Sequence, residues 1–384
     1  MKRNIYLLYG ISLLQGMVFY GPISTLYRQA QGVGIFEILL IESISYALCI
    51  VLEVPWGMVA DRIGYKRTML ACCWLFFLSK IVFWQASDFA GLAERVMVSV
   101  VITGVSGVDT SILYLCAGPK DSQRVFGVYN SLSEAGLLGA ATVFTLFVGD
   151  DYRLAALLTV FSYGAAALLA LGLTEVRPAE PAHTAREPFR VTLRAALAVP
   201  GVTALLVGSG LLSEIHQTVT VFLNQLQYQR SGMGSAAIGA AYIAASLLGL
   251  CGVFSARFTR TVGARRAARL FCLAPALGCL VLMATDRAAL SVGCIWLLRV
   301  SDSLFQPFRL RQQNAMIATP NRATALSVHA MVVDIVAIVT NFAFGALAQW
   351  DLRAALAFGT AAALAALGLL RYSRLRGRWQ SAEG

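Results

Sequence analysis

Charge is what this sequence has least of. Only 13% of its 384 residues are Asp, Glu, Lys or Arg, about half the share of roughly 25% usual in soluble domains. A soluble chain so poor in charge could not cover its surface, so a set of water-soluble domains is excluded. Histidine is scarcer still: the three present, His183, His216 and His329, are far apart in sequence. That argues against a metal centre, and against a membrane enzyme built on clustered catalytic residues. The eight cysteines, among them Cys72, Cys73, Cys272 and Cys279, fall almost entirely in apolar runs and form no Cys-x-x-Cys pair. This excludes zinc-ribbon and dithiol chemistry and leaves buried thiols packing as small hydrophobes. No Gly-rich phosphate loop of the Walker type precedes a helix, which excludes direct use of ATP. No basic run is interleaved with aromatics outside the apolar segments, so the net charge of +11 does not point to nucleic acid.

Apolar length is what the chain has in abundance, with 58% hydrophobic residues. A membrane-crossing helix needs about 20 consecutive apolar residues. Twelve such runs are predicted, at 5–27, 35–58, 68–86, 92–115, 124–148, 152–173, 199–224, 236–257, 267–285, 288–310, 323–348 and 352–371. Runs of this length predict helices, because barrel strands would be about ten alternating residues. The first run carries Gln15, Tyr20 and Pro22 and lacks a small-x-small cleavage site, so it is expected to be a retained helix and not a leader. With the N-terminus inside, 23 Lys and Arg fall in inner loops and tails against 6 in outer loops. This asymmetry predicts cytoplasmic N- and C-termini in a cell (inner or plasma) membrane, and it accounts for the basic charge. The longest polar stretch, 174–199, is broken by Pro178, Pro181 and Pro188. Beyond them Phe189, Leu193 and Leu197 recur at helical spacing, which suits either a short surface helix or a plain linker.

An internal repeat divides the chain. Gly64, Lys66 and Arg67, between the second and third runs, match Gly263, Arg265 and Arg266 between the eighth and ninth at an offset of 199. Arg124 and Arg322 open spans at an offset of 198. Two six-span halves follow, with expected boundaries at 1–174, a cytoplasmic linker at 175–198, 199–372 and a tail at 373–384. Repeated halves meeting at a midplane cavity are the usual build of a secondary transporter.

The stretch Gly57-Met-Val-Ala-Asp61-Arg62-Ile-Gly64-Tyr-Lys66-Arg67 resembles the loop motif of the major facilitator superfamily, G-x-x-x-D-R-x-G-x-K/R-K/R. It follows Glu53-Val-Pro55-Trp. With the spans and the repeat, the resemblance covers nearly the whole chain. It implies an all-α membrane protein of twelve transmembrane helices in two pseudo-symmetric six-helix bundles. It also implies that Gly57, Asp61, Arg62, Gly64, Lys66 and Arg67, braced by Glu53, form a conformational latch in which Asp61 meets a facing helix N-terminus. The second copy has Ala256 and Arg260 in place of the first Gly and the Asp, which predicts a weaker latch there. Two motifs of the superfamily's drug/proton antiporters are incomplete: Val101 stands where the fourth span's Arg is expected, and the fifth span has no Pro.

Ionisable side chains inside apolar spans cost roughly 2.5–3.5 kcal/mol each on the lenient insertion scale, so they must face protein or a wet cavity. The candidates for proton coupling or the substrate cavity are Gln15, Glu42, Asp109, Glu134, Glu214, His216, Arg299, Asp302, Asp334 and Asn341. Glu214 matches Gln15 across the repeat, and by the resemblance their two spans line the central cavity. His216 is either a proton carrier or a histidine bonded to a neighbouring helix. Arg299 and Asp302, three apart, can pair along one face, with Gln306 continuing the stripe; this is either a self-neutralised structural pair or a switchable salt bridge. Glu134 and Asp334 occupy nearly equivalent places in the two halves, each with an Asn on its own face, Asn130 and Asn341 respectively.

The expected function is secondary active transport of a small organic solute by alternating access, coupled to protons, with export of a drug or natural product preferred. Import of a polar metabolite is the alternative, and a non-transporting receptor or scaffold a further one. No cofactor, metal or nucleic acid is expected. The partners are the solute and the bilayer, and the chain is expected to be a monomer.

Overall fold

The computed structural model describes residues 2–85, 88–105, 108–149, 151–176, 193–194, 196–316, 322–377 and 379, except some side chains within those stretches. Helices form nearly all of it, and no strand is present among the described residues. The first half contains α1 (Lys2–Gly16), α2 (Ser24–Ala30), α3 (Ile35–Ile63), α4 (Tyr65–Gln85), α5 (Asp88–Val105), α6 (Val108–Val143) and α7 (Tyr152–Leu171). The second contains α8 (Val202–Gln217), α9 (Asn224–Arg230), α10 (Ser235–Gly249), α11 (Ser255–Val262), α12 (Ala264–Ala284), α13 (Ala288–Ala315), α14 (Arg322–Trp350) and α15 (Leu352–Arg376). A π-helical segment, Thr218–Leu223, joins α8 to α9, and a 3-10 turn, Leu250–Phe254, joins α10 to α11.

Among the described residues, ten stretches are long and apolar enough to cross a membrane. The other two predicted spans, around 92–115 and 199–224, are helical as well. Their polar content holds them apart: Glu94 and Arg95 in α5, and Ser213, Glu214, His216 and Gln217 in α8. Side chains such as Phe147 (79% exposed), Val253 (79%) and Trp350 (81%) leave broad apolar surface uncovered, as a bilayer-facing wall requires.

Helix α6 is not one rod. Tyr129 Oη donates to Asp109 Oδ2 at 3.0 Å, whereas twenty residues of straight helix would hold them about 30 Å apart. The chain therefore reverses between them, where the predicted spans 92–115 and 124–148 are separated and where Gly118 and Pro119 fall.

Packing divides the chain into two units. One comprises Met1–Val33, Ile44–His183 and Ser235–Ile243; the other comprises Gly34–Ser43, Thr184–Gly234 and Ala244–Gly384. In the first, α1 lies on α6 and α7, and α4 on α5 and α7. Leu8, Ile11, Met69, Cys73, Ile112, Ala166 and Ala167 form its core. Gly136 lets the two helices approach until the Leu13 carbonyl occupies the space of a Cβ. In the second, α12 packs on α15, and α8 on α14 and α15. Phe271 meets Phe305 and Phe308 with ring centroids 5.6 and 5.5 Å apart. Leu193 and Leu197 pack against Ala196 and Val328, so these linker residues serve the protein core; Phe189 lies outside the described residues.

The repeat is visible in local geometry. Gly64 and Gly263 both adopt positive φ, +92° and +85°, in the one-residue turns before α4 and α12. Non-glycine residues reach that region only at a cost of roughly 1–2 kcal/mol. Asp151 and Asp351, 200 residues apart, cap α7 and α15 by accepting from Leu154 N at 2.9 Å and Arg353 N at 3.0 Å. Such caps contribute about 1 kcal/mol each. Charge and hydropathy conceal this second pair, because a lone Asp before an apolar run is common.

Candidate functional site

The second unit brings Glu42, Glu214, Asp334 and Asn341 together from three helices. Glu214 projects from α8 and is only 3% exposed. Thr218, one turn on and at the start of the π-helical segment, lies with its Oγ1 3.4 Å from Glu214 Oε1 and donates to Asn341 Oδ1 at 3.0 Å. The fully buried Asn341 amide adjoins the Glu214 carboxyl, and its Nδ2 has no hydrogen-bond partner. Glu42 and Asp334 are within electrostatic range of Glu214, and Glu42 is itself 5% exposed. Glu42 reaches this place because the first turns of α3 belong to the second unit, where Ser43 Oγ donates to the Ile338 carbonyl at 3.2 Å. Glu214 has no cation within 4 Å among the described residues. An isolated carboxylate here is costly, and a proton or the cationic group of a solute removes that cost.

A second polar group lies on the α8–α13 contact. Gln306 Nε2 donates to Asp302 Oδ1 at 2.8 Å and approaches Ser213 Oγ at 3.4 Å. His216 is 2% exposed with neither ring nitrogen hydrogen-bonded, and Asp302 and Arg299 are its charged neighbours. The Arg299–Asp302 ion pair anticipated from their spacing is not formed. Arg299 instead lies against Gly249, 3.1 Å from where a Cβ would stand, and Asp302 is taken by Gln306. A three-residue spacing permits a pair, but the absence of a side chain at Gly249 gives the guanidinium a different place to lie.

The other candidates fall in the first unit. Gln15 Nε2 reaches Cys73 Sγ at 3.6 Å, and its carbonyl accepts from Tyr163 Oη at 2.7 Å. Asp109 holds Tyr129. Glu134 is exposed on α6. Of the latch, Arg62 is exposed, and Lys66 N donates to Glu175 Oε1 at 3.4 Å. Glu175 also closes over Gly64, 2.6 Å from where its Cβ would be. The side chains of Glu53 and Asp61, and the surroundings of Gly57, lie outside the described residues.

One cluster in the first unit was missed. Lys80 Nζ bonds Glu94 Oε1 at 2.6 Å and Tyr20 Oη at 3.0 Å, and Arg28 Nη2 lies 3.7 Å from Glu94 Oε2. The Lys80 ammonium sits 5.3 Å from the Tyr163 ring and 5.6 Å from that of Phe76. Lys80 and Glu94 are 5% and 2% exposed. Their separation of fourteen residues matches no helical pairing rule, and Glu94 falls near the start of the predicted span 92–115. The isolated Lys80 amid apolar residues was the only available signal.

The family model described as Major Facilitator Superfamily matches residues 5–308. The chain belongs to this superfamily. Its members are transporters and not enzymes, and the all-helical fold agrees. Among solved structures, a mutant of the nucleoside transporter NupG is similar with a TM-score of 0.79 and 14% identity, over 96% of this chain and 99% of that one. The peptide transporter POT in complex with sulfate gives 0.72 and 14%, over 98% and 96%. A D-xylose–proton symporter gives 0.68 and 14%, over 94% and 96%. At such identities these likenesses concern the fold. No curated protein matches the chain by sequence.

Proposed function

We propose that this superfamily member moves a small organic solute across a cell membrane by alternating access, driven by protons, and that it exports a drug or natural product. The observation that carries the coupling is the buried Glu214 carboxyl, with no cation within 4 Å among the described residues and with Glu42 and Asp334 in electrostatic range. A proton on this cluster offsets the mutual repulsion of its acids, and its release restores that repulsion, so protonation and conformation are linked. His216, Asp302, Arg299 and Gln306 form the adjoining polar wall for the solute. Gln15, Asp109 and Glu134 are the first half's cavity candidates. The protein works as a monomer with cytoplasmic termini and needs no cofactor.

Import of a polar metabolite with protons is the second reading, favoured by the likeness to a D-xylose–proton symporter. Purified protein in liposomes under an imposed pH gradient tests both. Glu214→Gln is expected to reduce gradient-driven flux at least tenfold while counterflow of unlabelled against labelled solute persists. Full gradient-driven flux in Glu214→Gln refutes the coupling site, and the sign of the gradient that drives uptake distinguishes export from import.

A further inference from the structure

The second unit carries a cavity of about 140 Å³ at the arginine-rich ends of α12 and α15. Arg265 and Arg269 enter it from the first turns of α12, and Arg371 and Arg374 from the last turns of α15. Leu273, Leu367 and Leu370 make its floor, and Trp379 closes one side. Trp379 is itself held, with Nε1 donating to Ser373 Oγ at 3.1 Å and its ring 5.7 Å from that of Phe308.

Four guanidinium groups therefore line one cavity. No carboxylate lies within 4 Å of any of them among the described residues. Arg265, Arg269 and Arg371 all act on Arg374 by like-charge repulsion. Two of the four stand at the start of α12, whose first turn has no acidic residue and whose dipole disfavours cations there. The mutual repulsion of the four works against the fold, and a bound anion would neutralise it. The anion's class follows from what adjoins the cavity. Along α12, Leu270, Leu273, Leu277 and Leu280 are 44–56% exposed, a leucine stripe leading away from the arginines. A free ion has no use for such a stripe, whereas acyl chains beneath a phosphate do. The tryptophan at the rim suits the headgroup level of a bilayer.

We infer that this cavity is a binding site for the phosphate of an anionic phospholipid, whose chains lie along the α12 leucines. The inference is independent of the transported solute and of proton coupling.

Native mass spectrometry of the full chain in detergent tests it, with phosphatidylglycerol and phosphatidylcholine of identical chains as probes. The protein is expected to retain phosphatidylglycerol preferentially. Each of Arg269→Gln and Arg374→Gln should weaken that retention roughly fivefold. Replacing all four arginines by glutamine should abolish the preference, and replacing all four by lysine should keep it. If the glutamine quadruple variant does not fold, the single variants decide. Equal retention of the two lipids, or unchanged preference in the single variants, overturns the inference. So does inorganic phosphate raising the melting temperature as much as phosphatidylglycerol, because the site would then take a free ion.

Discussion

Lys80 and Glu94 show what a buried charge needs at the scale of one residue. Each is almost fully enclosed, and each has its opposite within 2.6 Å. Removing one partner of such a pair costs about 3–5 kcal/mol, because the other stays buried and uncompensated. Lys80→Met is therefore expected to lower the melting temperature in detergent strongly. Lys80→Met combined with Glu94→Leu should recover much of the loss; a double variant as unstable as the sum of its singles would show that the pair is not the unit. Glu214 is the contrast. Its burial is equal, but its polar neighbours are the neutral Thr218 and Asn341 and its charged neighbours are acids. A structural charge is paired inside the fold, and the proposed coupling carboxyl is left for something that comes and goes.

At the scale of elements, the turns carry the repeat. Gly64 bends the chain between α3 and α4 at a φ costly for residues with a side chain, with Glu175 against it. Gly64→Val is expected both to strain the backbone and to displace Glu175, lowering stability by about 1–2 kcal/mol and slowing turnover. Gly263→Val meets the same backbone strain but has open space around it, so its melting temperature should fall less. Equal losses at the two sites would remove any role for the Glu175 contact. In the adjoining motif, Asp61→Asn is expected to slow cycling without altering which solutes compete, read as flux against a competitor panel. The legibility of these elements was uneven. The Gly64 and Gly263 turns stand out because their flanking basic residues repeat, whereas the Asp151 and Asp351 caps carry no such flag. The two polar-rich helices α5 and α8 were found by pattern because their apolar residues still run on either side of the charges.

At the scale of the whole molecule, the distribution of Lys and Arg makes a prediction of its own. Single cysteines placed near residue 2 and near residue 380, in a variant lacking the eight native ones, should resist a membrane-impermeant thiol reagent added outside intact cells. A cysteine in the 286–287 loop should react. Labelling of either terminus from outside would invert the orientation, and with it the side on which the arginine-lined cavity meets lipid.

The sequence by itself determined that this is a helical, multi-pass membrane protein of two repeated halves. Those properties follow from run length, composition and period, which every residue contributes to locally. It also narrowed the candidate residues to the few polar groups that apolar helices tolerate. Only the tertiary structure decided which of them lie together. Glu42, Glu214 and Asn341 lie on three helices up to 299 positions apart in sequence, and Lys80 and Glu94 on two. Proximity across helices depends on rotation, crossing and register, and no local pattern encodes those.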